Sequence, residues 1–216
     1  MPGSLTPGAV QGPPPLPPES RGWGGGDGAG EPNGRGAGRR ASFWGLTIGL
    51  TATGILFLSL SAAFLARRGI SDDWVGIRKP PILWVNTLIL VASSLVLDRG
   101  RYALRNHDRG RFNFWWTLAT ALGGIFLLGQ FFAWEQLRRQ GIYVATNPAS
   151  AFFYVLTAVH ALHLAGAMSA MIYVDVQALR LRLGPAKRTA IDITAVFWHF
   201  LDVLWLLLMA LFYLWD

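Results

Sequence analysis

Five long apolar runs, separated by shorter stretches that hold most of the charged residues, organise the sequence from residue 42 onward. Each run approaches or exceeds the roughly 20 residues that a helix needs to cross a hydrocarbon core of ~30 Å. The runs do not alternate polar and apolar residues in units of about ten, as the strands of a membrane β-barrel do. The sequence therefore predicts an all-α polytopic membrane protein, a bundle of five transmembrane helices with spans at about 42–66, 80–97, 112–134, 148–174 and 193–215.

The first 41 residues differ in composition from the rest of the chain, because they contain 12 of its 25 Gly and eight of its 12 Pro. Such a stretch has too little apolar surface to offset the entropy lost on ordering it. We therefore predict a disordered tail at 1–41 and a five-helix domain at 42–216. We expect no signal peptide, since Arg39 and Arg40 precede a full-length apolar run rather than a short one with a cleavage site.

Basic residues predict the orientation of the helices. The tail and the loops 98–111 and 175–192 hold thirteen of the 19 Lys and Arg residues, whereas the loops on the other side and the C-terminus hold six. Because loops rich in Lys and Arg stay in the cytoplasm, we expect a cytoplasmic N-terminus and a C-terminus outside. The net charge of +7 then reflects topology and contact with lipid headgroups, and we expect no nucleic-acid partner.

Tryptophan residues lie close to the ends of the runs. Because the indole ring favours the boundary between water and lipid, we predict an aromatic belt at both membrane surfaces. Packing inside the bundle is the alternative explanation for these rings. The residues concerned are Trp44, Trp84, Trp115, Trp116, Trp134 and Trp215.

Composition removes several kinds of chemistry. Charged residues make up 14% of the chain, against about 25% in ordinary soluble domains. The absence of Cys excludes disulfides, zinc–thiolate sites, iron–sulfur clusters and thiol nucleophiles. The sequence also lacks the P-loop, GxSxG and HExxH patterns of nucleotide hydrolysis, serine hydrolases and zinc proteases. The sequence therefore gives no support for thiol, nucleotide-hydrolysing or other hydrolytic chemistry, and we expect no catalytic residues in this chain.

Ionisable residues within the spans are candidate functional residues, since charge is costly in lipid. His160 and His163 share one helix face, and so do His199 and Asp202, because each pair is three residues apart. A metal site needs three or four converging ligands, and a proton relay needs acids and bases across the whole membrane, which the first two spans do not supply. We favour a structural role, in which the imidazoles form hydrogen bonds across helices. The partners available are Gln130, Glu135 and Asp202.

The C-terminal run carries a specific motif. Residues 197–206 read FWHFLDVLWL and closely resemble the WHFxDxxW signature of subunit III of heme–copper oxidases. Stretches 86–94, 122–130 and 152–163 also agree with that family, so that the resemblance covers about residues 43–216 in the family's order. The matched positions are Gln130, His160, His163, Trp198, His199 and Asp202.

The resemblance implies the five-helix bacterial form of this subunit, in the plasma (inner) membrane with its N-terminus in the cytoplasm. It implies a non-catalytic accessory subunit of a proton-translocating respiratory oxidase, with heme and copper in partner subunits and none in this chain. Such a subunit packs against oxidase subunit I, with subunit II in the same complex, stabilises the catalytic centre, supports proton uptake and binds phospholipid between its helices. The matched residues, together with Glu135, are then structural, lipid-contacting or interface residues.

Two questions stay open at this point. The complex could be a cytochrome c oxidase, a quinol oxidase or a nitric oxide reductase, and an independent small transporter is the alternative from another class. The sequence also departs from the family pattern, since the stretch 51–54 lacks the carboxylate that the family often has there and Ala133 stands where a Glu is usual. Glu135 either replaces that second acid or is an ordinary interfacial acid, and we favour the latter.

Overall fold

The computed structural model describes residues 34–70, 74, 76–77, 79–180 and 185–214. Within these residues all regular structure is helical, and the five helices are long and apolar enough to cross a membrane. The predicted all-α fold with five membrane-spanning helices is therefore confirmed. The helices are α1 (Gly34–Ile70), α2 (Ile82–Arg105), α3 (Arg109–Arg139), α4 (Pro148–Leu179) and α5 (Pro185–Leu214).

The helices extend beyond the predicted spans, most clearly at the start of α1. That helix begins at Gly34, inside the stretch predicted to be a disordered tail, and residues 1–33 lie outside the described residues. Arg39, Arg40 and Ala41 are good helix formers, which favours one more turn before the apolar run, whereas the Gly residues at 34, 36 and 38 do not favour a helix. The last turns of α1, α2 and α3 contain Arg, a charge that the negative end of the helix dipole favours.

Ring contacts show that neighbouring helices run antiparallel. Phe153 of α4 contacts Phe212 of α5 near the end of the chain, whereas His160, further along α4, contacts Trp205, earlier in α5. Phe57 of α1 likewise contacts His160, whereas Phe64, later in α1, contacts Phe152, earlier in α4. Helix α3 bonds to α4 in the same antiparallel sense, through Trp116 to Met171 and through Trp134 to Thr157.

The start of α1, the turn between α2 and α3, the end of α4 and the start of α5 therefore share one end of the bundle, which we call the tail-side end. The end of α1, the start of α2, the loop between α3 and α4 and the end of α5 form the far end.

Helix α5 is the central element of the bundle, because it contacts α1, α2 and α4. Its tryptophans Trp198 and Trp205 are completely buried, as is Trp116 of α3. Helix α1 is the most peripheral, since Phe57 and Phe64 are its only hydrophobic side chains in the described core. Trp198 and Trp205 therefore lie at the centre of the bundle, between α5 and the helices that pack around it.

Helices α2 and α3 form a tight hairpin. Gly100 of α2 lies against Trp115, where an added Cβ would be 3.4 Å from the Cβ atom of that residue. Between the helices, His107 has a positive φ of 61°. Asp108 then caps α3, its side chain accepting a hydrogen bond from the Arg111 backbone at 3.0 Å. The short turn at His107 and the small residue Gly100 together allow α2 and α3 to approach closely.

One of the tryptophans predicted to lie in the aromatic belt, Trp116, is buried inside the bundle. Trp44 and Trp84 are 69% and 54% exposed near helix ends, as expected for belt residues. Trp116 is instead fully buried, and its Nε1–H donates to the carbonyl of Met171 at 3.1 Å. Trp116 is thus a packing residue that ties α3 to α4, because its ring lies on the helix face that α4 covers. Trp215 lies outside the described residues.

Candidate functional site

Polar side chains from four helices are buried within the bundle and carry atoms that have no hydrogen-bond partner among the described residues. Such an atom is costly, about 1–3 kcal/mol for each unsatisfied group, so these positions are the first candidates for function. The fractional exposure of each side chain is 6% or less. The residues are Asn86, Gln130, His160, Trp198 and Asp202.

His160 lies in an aromatic cage. Its ring centroid is 5.1 Å from that of Trp205, with the planes tilted by 34°, and 6.2 Å from that of Phe57. Phe126 of α3 adds a third ring at 6.4 Å. Neither ring nitrogen of His160 has a partner among the described residues. The imidazole of His160 is therefore held by contacts with aromatic rings and not by a hydrogen bond to a described residue.

His163 lies one turn further along α4 and contacts the same ring of Phe57, at 5.6 Å. Its Nδ1 atom is 2.8 Å from the carbonyl oxygen of Val159, within its own helix. The sequence correctly placed both histidines on one face. Only His160 is fully buried, however, because His163 lies closer to the edge of that face.

The signature residues of α5 form a packing face. Trp198, Asp202 and Trp205 follow one another at spacings of four and three residues, which brings them to one side of the helix. Trp205 Nε1–H donates to Thr87 Oγ1 at 3.0 Å, a buried bond between α5 and α2. Trp198 fits against Gly123 of α3, where an added Cβ would lie 2.5 Å from the indole Cη2 atom. Two bulky rings of the motif thus fix the spacing between α5 and its neighbours.

His199 belongs to a different polar cluster. Its Nδ1 atom is 3.0 Å from Ser94 Oγ, and its Nε2 atom is 3.1 Å from Asp98 Oδ1. Arg101 bonds to Asp98 at 3.2 Å and to Asp192 of α5 at 3.3 Å. We call these five residues the tail-side network, which joins α2 to α5. The i, i+3 spacing of Asp98 and Arg101 was the only sequence signal for it, since Asp192 is far away in the chain.

The predicted partners of the histidines are wrong. His199 bonds to α2 rather than to Asp202, because the two side chains, although three residues apart, lie about 60° apart around the helix. His163 bonds within its own helix, and His160 has no partner among the described residues. Glu135 instead forms an i, i+4 ion pair with Arg139 at 3.0 Å.

The chemistry available to these groups is limited to holding and orienting polar partners. Among the residues that the structure describes, no three His, Asp or Glu side chains lie close enough together to hold a metal ion. The carboxyl oxygens of Asp202 and both ring nitrogens of His160 are buried inside the bundle without a hydrogen-bond partner among the described residues. Groups of this kind are typically satisfied by a buried water.

Comparison with known proteins connects this arrangement to a family. The family described as "Cytochrome c oxidase subunit III" matches residues 43–216. The chain is 32% identical to cytochrome c oxidase subunit 3 of Synechocystis sp. over 79% of its own length and 74% of that protein. It is 31% identical to the protein of the same name from Thermostichus vulcanus, over 79% of this chain and 85% of the relative.

A third similarity comes from another bacterial group. The probable cytochrome c oxidase subunit 3 of Mycobacterium tuberculosis is 28% identical over 78% of this chain and 85% of its own length. In all three cases the match spans most of both chains, so it includes the helices described above rather than an isolated motif. With its five membrane-spanning helices and these matches, the chain belongs to the cytochrome c oxidase subunit III family of the heme–copper oxidases.

Proposed function

We propose that this accessory subunit works in a proton-translocating cytochrome c oxidase, where it packs against subunit I, binds phospholipid and supports proton uptake by the catalytic subunit. Membership of the family makes the chain an oxidase accessory subunit in a complex with other oxidase subunits. The choice of cytochrome c as the electron donor is supported by the names of the relatives, which are cytochrome c oxidase subunits.

The observation that carries the accessory role is the position of the WHFxDxxW motif. Trp198 and Trp205 are buried in contacts between helices, and Asp202 is 6% exposed on the same face of α5. A redox or hydrolytic centre needs reactive groups that converge on an accessible substrate position. This motif instead holds helices at a defined spacing, as a subunit does that supports chemistry performed elsewhere. Heme and copper then belong to the partner subunits I and II.

The outer surface of the bundle offers apolar area to those partners and to lipid. Helix α1 contributes little to the described core, and Ile48, Leu58 and Ile70 on it are 67%, 71% and 80% exposed. In a membrane such a surface is stable against acyl chains or against another helix. We infer that subunit I and phospholipid share this surface of the subunit.

The proposed topology places the N-terminus in the cytoplasm and the C-terminus outside. It is supported by the excess of Lys and Arg in the segments at the tail-side end. The plasma membrane of a bacterium is the location that the bacterial relatives support.

Deletion of this subunit tests the accessory role. An oxidase purified without the chain should keep its heme spectrum and should still reduce oxygen with reduced cytochrome c, because no redox centre has been removed. Its rate should be lower, because oxygen reduction consumes protons that are taken up more slowly, and it should lose activity faster during turnover. The matched control is the same preparation with the chain added back. Loss of the heme spectrum on deletion, or identical decay rates with and without the chain, would contradict the accessory role. If the complex reduces oxygen with a quinol and not with cytochrome c, then quinol is the electron donor.

A further inference from the structure

A cleft opens at the tail-side end of the bundle, between the last turns of α2 and the start of α5. Its volume is about 150 Å³, roughly half of the ~300 Å³ at which typical small-molecule sites begin. It therefore has room for a small ion with a few water molecules and none for a ligand the size of a lipid. We call it the α2–α5 cleft. Its lining residues are Arg101, Leu104, Arg105, Arg188, Ile191 and Asp192.

Charged side chains make up most of this lining. Arg101, Arg105 and Arg188 supply three positive charges and Asp192 supplies one negative charge, which leaves a net charge of +2. A guanidinium group stays protonated at any pH that a cell experiences. Because the cleft is concave, the potentials of these groups add inside it. The α2–α5 cleft therefore favours an anion.

Two of the three guanidinium groups are not used within the bundle. Arg105 and Arg188 are exposed and form no hydrogen bond or ion pair with another residue in the part of the chain that the structure describes. Arg105 also lies four residues after Arg101 on α2, a spacing at which like charges repel each other on a helix. An anion held between these groups replaces that repulsion by attraction.

Arg101 forms the fixed wall of the cleft. Its Nη1 donates to Asp98 Oδ1 at 3.2 Å and its Nη2 donates to Asp192 Oδ1 at 3.3 Å, so that the guanidinium is held between α2 and α5. The third nitrogen, Nε, is buried and has no hydrogen-bond partner among the described residues. A buried donor without an acceptor is costly, and an oxyanion in the cleft supplies an acceptor. Arg101 thus provides a positioned donor beside the two exposed, unpaired side chains of Arg105 and Arg188.

The charge of the lining distinguishes between anions. A phosphate monoester carries about −1.5 to −2 charges near pH 7, which balances the net charge of +2 in the cleft, whereas a carboxylate or a chloride carries one. Guanidinium groups bind phosphate oxygens through pairs of charge-assisted hydrogen bonds. A lipid fits less well, because the phosphate of a diester headgroup has a single charge. Ile191 is also buried, which leaves Leu104 alone among the lining residues to contact an acyl chain.

We propose that the α2–α5 cleft binds one soluble phosphate group, as inorganic phosphate or as a phosphate monoester, between the guanidinium groups of Arg101, Arg105 and Arg188. Bound there, the phosphate joins the end of α2 to the start of α5 and adds to the contact between Arg101 and Asp192. The inference goes beyond the proposed function, since it gives the subunit a site for a small ligand. It rests on the proposed topology only for the compartment, the cytoplasm, to which the cleft opens.

Equilibrium dialysis of the purified oxidase complex against radiolabelled inorganic phosphate, at constant ionic strength, tests the site. The complex should bind one phosphate for each copy of this chain. Arg105→Gln and Arg188→Gln should each weaken that binding roughly three- to tenfold, and both variants should fold because the two side chains are exposed. The matched control is Arg109→Gln, which removes the same charge from an exposed position at the same end of the bundle but outside the cleft, and it should leave binding unchanged.

Competition identifies the source of the phosphate group. Glycerol 3-phosphate, a soluble monoester, should displace inorganic phosphate, whereas incorporation of phosphatidylglycerol into nanodiscs that hold the complex should not. Displacement by phosphatidylglycerol but not by phosphatidylcholine would overturn the proposal, because the cleft would then hold a lipid headgroup. Absence of phosphate binding, or equal affinities for the Arg105 and Arg109 variants, would overturn it as well. If the tagged chain purifies without heme-containing subunits, the proposed function fails, and the same dialysis of the full-length chain still decides whether the cleft binds phosphate.

Discussion

Two adjacent glycines of α3 should respond in opposite ways to the same substitution. At Gly123 an added Cβ would lie 2.5 Å from Trp198 Cη2 and 2.8 Å from the sulfur of Met168. Trp198 is completely buried, so that its ring has no free space into which to move. At Gly124 an added Cβ would meet nothing within 4 Å. Gly123→Ala therefore tests the packing of the α5 signature, and Gly124→Ala is its matched control.

The magnitude follows from two opposing contributions. Overpacking a filled core destabilises by typically about 1–3 kcal/mol, whereas replacing a helical Gly by Ala stabilises by roughly 0.5–1 kcal/mol. Gly123→Ala should thus lower the free energy of unfolding by about 1–2 kcal/mol, and Gly124→Ala should leave it unchanged or raise it slightly. For a chain of this size each kcal/mol corresponds to about 2–4 °C in the midpoint of thermal unfolding.

The absence of Cys provides a clean assay. In a background with Ala195→Cys, a buried position of α5, a thiol-reactive dye reports the temperature at which the core of the detergent-purified full-length chain opens. Gly123→Ala should lower that temperature by several degrees relative to Gly124→Ala. Equal temperatures, or a larger loss for Gly124→Ala, would refute the close contact between Trp198 and Gly123.

Three further substitutions test other contacts by the same assay. Trp205→Phe should cost about 2 kcal/mol, because it removes buried volume and the hydrogen bond to Thr87; adding Thr87→Val should cost little more, and fully additive losses would contradict the bond. Asn147→Ala should cost about 1 kcal/mol by removing the cap of α4, whereas Asn147→Asp should be tolerated; equal losses in both would argue against capping. Asp98→Asn should cost no more than about 1 kcal/mol, since the carboxylate that faces His199 is more than half exposed. A larger loss would contradict a weak, solvent-screened contact between Asp98 and His199.

The number and type of the helices could be predicted because apolar length is a local property of the sequence. The start of α1 could not, since helix formation continues from the apolar run through Arg40 and Arg39 back to Gly34 and depends on the preceding turns rather than on hydrophobicity alone. Trp116 shows the same limit. Its position near the end of a run suggested the membrane surface, but the face of α3 on which it lies is covered by α4.

In the candidate site, relations within one helix could be predicted from the sequence, whereas contacts between helices could not. The HxxH spacing correctly predicted that His160 and His163 share one face of α4, because that relation lies within one helix. Their shared contact with Phe57 of α1 comes from the structure alone. The partner of His199 could not be found, since Ser94 and Asp98 lie on another helix, and only the packing of α5 against α2 brings them together. The contact between Tyr154 and the loop that precedes α4 could not be found either, because it depends on how α4 packs beside the end of α3.

Co-purification from native membranes tests the central claim most directly. An affinity tag at the C-terminus of this chain should recover a complex that contains heme and copper in fixed ratio to the chain and that reduces oxygen with reduced cytochrome c. The account predicts that heme remains bound to the complex through a salt wash, because an accessory subunit is held by its membrane-embedded helices. Recovery of the chain alone, with no heme absorbance and no oxygen consumption in the fraction, would contradict it.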